Sequence, residues 1–108
     1  MNQIDFDSFI AFCKTLVGRE LDIIGGKSKF TLENITDRAY YYQIPANKVL
    51  KQNLRYVKRV LERYANLQSL NPGHYANITP HGVYLLALIQ LYENAGSPNH
   101  NADAYRES

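Results

Sequence analysis

The chain has no tryptophan, one cysteine and one methionine among its 108 residues. A lone thiol, Cys13, excludes an intramolecular disulfide and any zinc site built from several thiolates. The missing disulfide framework suits a reducing compartment. Long apolar stretches are also missing. The most apolar run reaches only from Val83 to Leu91, under half of the ~20 residues that span a bilayer. The opening MNQIDFDSF has neither the basic start nor the apolar run of a secretion signal. A cytoplasmic location is the expectation. An excess of one charge is the last absence: twelve Lys and Arg against ten Asp and Glu leave a net charge of +2. That total is too mild to imply nucleic acid by itself.

What is present fits one soluble domain, with 45% hydrophobic and 20% charged residues. Nine tyrosines suit partly covered faces, because the ring packs while the hydroxyl stays wet. The reading is a single α+β domain over residues 1–96, followed by a flexible polar tail over 97–108. That tail lacks periodicity.

The chain opens on a helix capped by Asp5 or Asp7. Phe6, Phe9, Ile10, Cys13, Leu16 and Val17 recur at steps of three and four before Gly18. Cys13 lies in that apolar stripe, so burial is expected for it. The period then changes. Glu20–Ile24 and Lys29–Ile35 mostly alternate around Gly25-Gly26-Lys27-Ser28, which reads as a β-hairpin. Thr36-Asp37-Arg38 turns into a third strand, Ala39–Ile44, whose three tyrosines must divide between the two faces. Leu21, Ile23, Phe30 and Leu32 should point inward together.

Ala46–Leu67 has the pattern of one long amphipathic helix. Val49, Leu50, Asn53, Leu54, Val57, Val60, Leu61, Tyr64 and Leu67 fall on one side. Thr79-Pro80 opens a last helix over 80–95, apolar nearly all round and so either buried on several sides or shared with a partner. The expected order is helix, three-stranded antiparallel meander, then two helices on one sheet face (α-β-β-β-α-α).

Catalytic and metal chemistry is poorly represented. Asp5/Asp7 suit a helix start and Asp22/Glu33 solvated strand positions. His74 and His81 lack a nearby acid or thiol and make a poor metal site. Gly25-Gly26-Lys27-Ser28 lacks the spacing and the following helix of a phosphate-binding loop. No cofactor, metal, membrane or small-molecule ligand is expected, and no enzymatic activity.

The basic face of the long helix is the functional lead. Lys48, Lys51, Arg55 and Arg59 form a line at three- and four-residue steps, with Lys58 and Arg63 beside it. Such a line can track phosphates, and an outward tyrosine among 40–42 would add stacking. A nucleic-acid-binding module using Lys48, Lys51, Arg55, Lys58 and Arg59 is one expectation. The other is a protein-interaction module, most simply a homodimer, using Tyr84, Leu85, Leu88, Leu91 and Tyr92 or the strand over 39–44.

The helix–strand–strand–strand–helix order is similar to that of double-stranded-RNA-binding domains. Gln43-Ile44-Pro45-Ala46-Asn47 stands where those domains place glycines and lysines, and topology alone carries no function. Closer in sequence are Leu16–Leu21, Lys29–Leu32, Val60–Tyr64, Ser69–Tyr75, Ile78-Thr79 and Tyr84–Leu88. Together they resemble a group of short bacterial proteins and domains, some carried in mobile gene pools such as integron cassettes. The resemblance covers roughly residues 9–92 and departs at Gly82-Val83, where a polar residue is expected. It implies a bacterial cytoplasmic origin and transfers no activity or site residue.

Overall fold

A computed structural model describes residues 4–26 and 28–95. The tail proposed for 97–108 and Lys27 of the first turn lie outside them. Helix α1 (Phe6–Lys14) starts where Asp5 Oδ2 accepts a 2.9 Å hydrogen bond from the Ser8 N–H. That cap supplies one of the backbone donors' missing partners at the helix end. The bond, with the Ser8 side chain, also holds the Asp5 carboxyl below its usual range. Strand β1 (Glu20–Asp22) pairs antiparallel with β2 (Lys29–Ile35), placing Leu21 opposite Phe30. Gly25 turns between them at φ +69°, the left-handed region that favours glycine.

Strand β3 (Ala39–Ile44) pairs with β2 through a bulge between Leu32 and Asn34. The extra residue keeps Leu32 and Ile35 both in the core despite their odd separation. The tyrosines divide as strand geometry requires: Tyr40 and Tyr42 are fully buried, and Tyr41 lies half-exposed on the opposite face.

The next element corrects the sequence reading. The first part of the supposed long helix is a fourth strand, β4 (Lys48–Asn53), paired antiparallel with β3 from Ile44↔Lys48 to Ala39↔Asn53. Helix α2 occupies only Leu54–Leu67. The reversal between β3 and β4 uses Ala46 (φ 74°) and Asn47 (φ 58°), consecutive left-handed residues of the kind tight hairpins need. Alanine conceals that turn in the sequence because it is not a turn former. The sheet order is therefore β1-β2-β3-β4, and the chain reads α-β-β-β-β-α-α. The α+β class stands; the three-strand count does not.

Helix α3 (Gly82–Asn94) forms the centre of the core. It begins two residues later than Pro80, with His81 at the cap position, and in the turn ahead of it Thr79 Oγ1 accepts from the His81 N–H (3.1 Å). Leu85, Leu86, Ala87, Leu88 and Ile89 are all buried. On one side the Tyr84 ring packs 5.2 Å from both Phe30, edge-on, and Tyr42, tilted, of the sheet. On another, Tyr92 meets Phe9 and Phe12 of α1 edge-on at 5.5 and 5.4 Å. An all-round apolar helix is thus satisfied within its own chain. No helix of the described residues is long and apolar enough to cross a membrane.

Candidate nucleic-acid interface

The helices cover one face of the sheet, and cross-strand pairing fixes what stands on the other. Glu20, Thr31, Gln43 and Val49 form one row across all four strands. Asn34, Tyr41 and Lys51 form the next. Lys51 and Val49 are exposed, Val49 at 52%, while Tyr41, Gln43 and Thr31 are half-buried. Beside the β3–β4 turn, at this end of β2 and β3, lies a shallow depression of about 290 Å³, lined by Glu20, Thr31, Gln43 and Asn47 and also by Phe30 and Ile44 of the other parity.

The five basic residues do not share one helix face. Lys48 and Lys51 lie on β4, where an odd separation sends side chains to opposite sides. Lys51 shares the outer face with Tyr41, and Lys48 has the parity of Leu50 and Gln52. Arg55, Lys58 and Arg59 are exposed on α2, whose buried side carries Val57, Val60, Leu61 and Tyr64. Strand passes directly into helix at Asn53. The four-residue separation keeps the Cα atoms of Lys51 and Arg55 within ~14 Å of each other. Aromatic rings steady two of the cations: Arg55 lies 5.2 Å from the Tyr56 centroid and Lys58 5.8 Å from that of Phe6. None of the five is in an ion pair among the described residues, whereas Lys29 is paired with Asp22.

Arg63 has a different task. It donates to the His74 carbonyl (3.1 Å) and to Asn77 Oδ1 (2.7 Å), tying α2 to the loop before α3. That loop contains a short 3-10 turn, Pro72–Tyr75. It is further held by Ser69 Oγ at 2.6 Å from His74 Nδ1 and by the Tyr75 hydroxyl donating to the Ser69 carbonyl (2.7 Å). A serine against a histidine superficially suggests a nucleophile, but nucleophilic chemistry also needs a group that orients the base. Among the described residues no carboxylate hydrogen-bonds His74, and no three His, Cys, Asp or Glu side chains are grouped to hold a metal.

Beneath the open face the chemistry is reversed. The Tyr42 hydroxyl donates to Gln52 Oε1 (2.5 Å), and Gln52 Nε2 donates to Thr79 Oγ1 (3.0 Å). This buried relay joins β3, β4 and the entry to α3, and satisfies groups that would be costly alone. Tyr40 Oη is buried without a hydrogen-bond partner among the described residues. Burial, then the neighbouring Cys13 thiol, raise the pKa of Tyr40 and of Tyr42 far above the ordinary phenol value. Burial likewise pushes the Cys13 thiol up to about 12, making it inert at neutral pH.

The proposed interface on the last helix fares differently residue by residue. Leu85 and Leu88 are fully buried and Tyr92 nearly so, all within this chain. Tyr84 and Leu91 are half-buried against the core. Tyr40 and Tyr42 of the 39–44 strand are core as well, leaving Tyr41 outward. Gln43 and Thr31 escaped the sequence reading, although strand parity with Tyr41 places Gln43 on the same face. No protein-family model, curated protein or solved structure matches this chain.

Proposed function

We propose that this chain is a non-enzymatic nucleic-acid-associated binding module. Its working surface is the basic edge formed by β4 and the first half of α2: Lys51 on the open face, Lys48 on the other side of the same strand, and Arg55, Lys58 and Arg59 on the helix. The supporting observation is that all five cations are exposed and none forms an ion pair among the described residues. Unpaired cations on adjoining elements attract phosphates, and each contact made releases counterions. The same proposal carries the expectation, from the likeness of residues 9–92 to short bacterial proteins, of a module working in a bacterial cytoplasm.

The test is titration of labelled duplex DNA and single-stranded RNA at low and moderate salt. Affinity should fall steeply, with a log–log slope of about −0.7 to −0.9 per phosphate contacted. The Lys51→Glu/Arg55→Glu double variant should bind at least about tenfold more weakly with a flatter salt slope. Undiminished binding by that variant, with its circular dichroism unchanged, removes this surface as the site.

A second reading, homodimerisation, has one observation behind it. Strand β4 is a sheet edge with Val49 half-exposed, and unpaired edges invite a second strand. Lys48 and Lys51 on the same strand oppose it, since edge lysines guard against such pairing. Light scattering decides: a monomer mass at high micromolar concentration ends the dimer reading.

A further inference from the structure

The open sheet face carries more than charge. Tyr41 stands directly opposite Lys51 in the β3–β4 pairing, and its hydroxyl makes no hydrogen bond among the described residues. Its neighbours in the strand are both buried, so the one tyrosine of the three that is presented to solvent sits beside an unpaired lysine. Next along the same face come Gln43 and Thr31, which border the roughly 290 Å³ depression together with Glu20 and, at the turn, Asn47. Amide and hydroxyl groups of this kind hydrogen-bond base edges once bases are unstacked. Acids of the face stand on β1 and β2: Asp22 is neutralised by Lys29, Glu20 borders the depression, and Glu33 is exposed at the β2 bulge beside Asn34. Strands β3 and β4 carry no acid, which keeps the phosphate path to the β4 side.

We infer that the ligand of this surface is single-stranded nucleic acid, with a base stacked on Tyr41, the adjoining phosphate on Lys51 and the chain running on towards Arg55. The inference rests on the basic-surface reading above and sharpens it. A duplex keeps its base faces stacked inside and offers Tyr41 nothing, whereas every unpaired base has a face to stack. Complementarity at this face is double: cation to phosphate, ring to base.

The absence of tryptophan from the chain provides a clean reporter, since a Tyr41→Trp variant carries one indole at the site. Three probes are titrated at low salt: a short oligothymidylate, a DNA duplex of equal length, and heparin, a polyanion without bases. Oligothymidylate should quench the indole; duplex and heparin should not. In the otherwise native chain Tyr41→Ala should lose about 5- to 150-fold in affinity for labelled oligothymidylate, the range of one lost stacking contact. Tyr41→Phe should retain most of that affinity. Binding of duplex and heparin should change less than about twofold, because their phosphate contacts are untouched. Equal losses on all three probes, no loss on any, or no indole quenching by oligothymidylate, overturns the single-strand inference and leaves the basic surface standing. If none of the probes binds the native chain, both proposals fall.

Discussion

Tyr41 and Tyr42 are adjacent in one strand, and their side chains serve opposite ends. The ring of Tyr42 is fully buried against Phe30 (5.8 Å) and Tyr84 (5.2 Å), and its hydroxyl opens the relay through Gln52 to Thr79. The ring of Tyr41 lies on the open face beside Lys51. The pleat alone separates the two roles, since residue type and backbone are shared. A sheet covered on one side thus offers the same sequence segment a structural vocabulary and a binding vocabulary, alternating residue by residue. Strand β4 repeats the pattern, with Gln52 in the core and Lys51 in solvent.

Truncating each ring in turn separates the two faces most directly. Tyr42→Ala removes a large buried aromatic and orphans the Gln52 amide, so it should destabilise by about 3–5 kcal/mol. Tyr41→Ala should stay within about 0.5 kcal/mol, as surface changes do. Urea unfolding of both variants checks this; similar midpoints would mean the two faces are not distinct.

Alkaline titration sharpens it further. Burial holds the Cys13 thiol at about 12 against an ordinary value of 9.0. The folded state therefore keeps a proton that the unfolded chain gives up. Stability from this source is complete below pH 9, falls as pH rises between about 9 and 12, and is level beyond. In that window the slope should be on the order of 1 kcal/mol per pH unit. The core phenols Tyr40 and Tyr42, raised in the same direction, add to the fall above pH 10. Cys13→Ala should flatten the curve between pH 9 and 10, where the thiol acts alone. An unchanged slope in denaturation midpoints across that interval counts against the buried thiol.

The smallest effect is at the turn that joins the two strands. Ala46 holds φ 74°, a conformation that costs a residue with a Cβ about 1 kcal/mol or more. Ala46→Gly should relieve that strain and stabilise the fold by about 0.5–1 kcal/mol, net of glycine's extra freedom when unfolded. A lower thermal midpoint for the variant would show that Ala46 is not strained.

That turn also explains what was legible in the sequence. The first hairpin announced itself because Gly25 occupies its left-handed position, and α1 because Asp5 precedes its apolar stripe. Strand β4 was hidden twice. Its entry turn uses Ala46 where glycine is usual, and its inward positions carry a glutamine, which breaks the apolar alternation. Val49, Leu50, Asn53 and Leu54 then fall at helical spacing with the stripe of α2, and the two elements read as one. Helix α3 left two readings open, burial on several sides or a shared face, and the first holds within this chain. Its unbroken apolar surface is equally consistent with a partner chain, and only the three-dimensional arrangement of Phe9, Phe12, Phe30 and Tyr42 supplies the covering groups internally. The site was half legible: Arg55, Lys58 and Arg59 kept their exposed helix face, while Lys48 and Lys51 moved to a strand and separated.

The buried relay bears on how β4 holds its place at the sheet margin. An edge strand has only one neighbour to fix its alignment, and sliding it by one residue exchanges its two faces. Such a slip would carry Gln52 into solvent, leave the Tyr42 hydroxyl and Thr79 without their shared partner, and bring the Lys51 ammonium into the core. A leucine at 52 would pack, yet it would offer no hydrogen bond for the slipped arrangement to forfeit. Gln52 therefore acts as an alignment pin: the polar residue that obscures the strand in the sequence is the one that fixes which lysine faces the water.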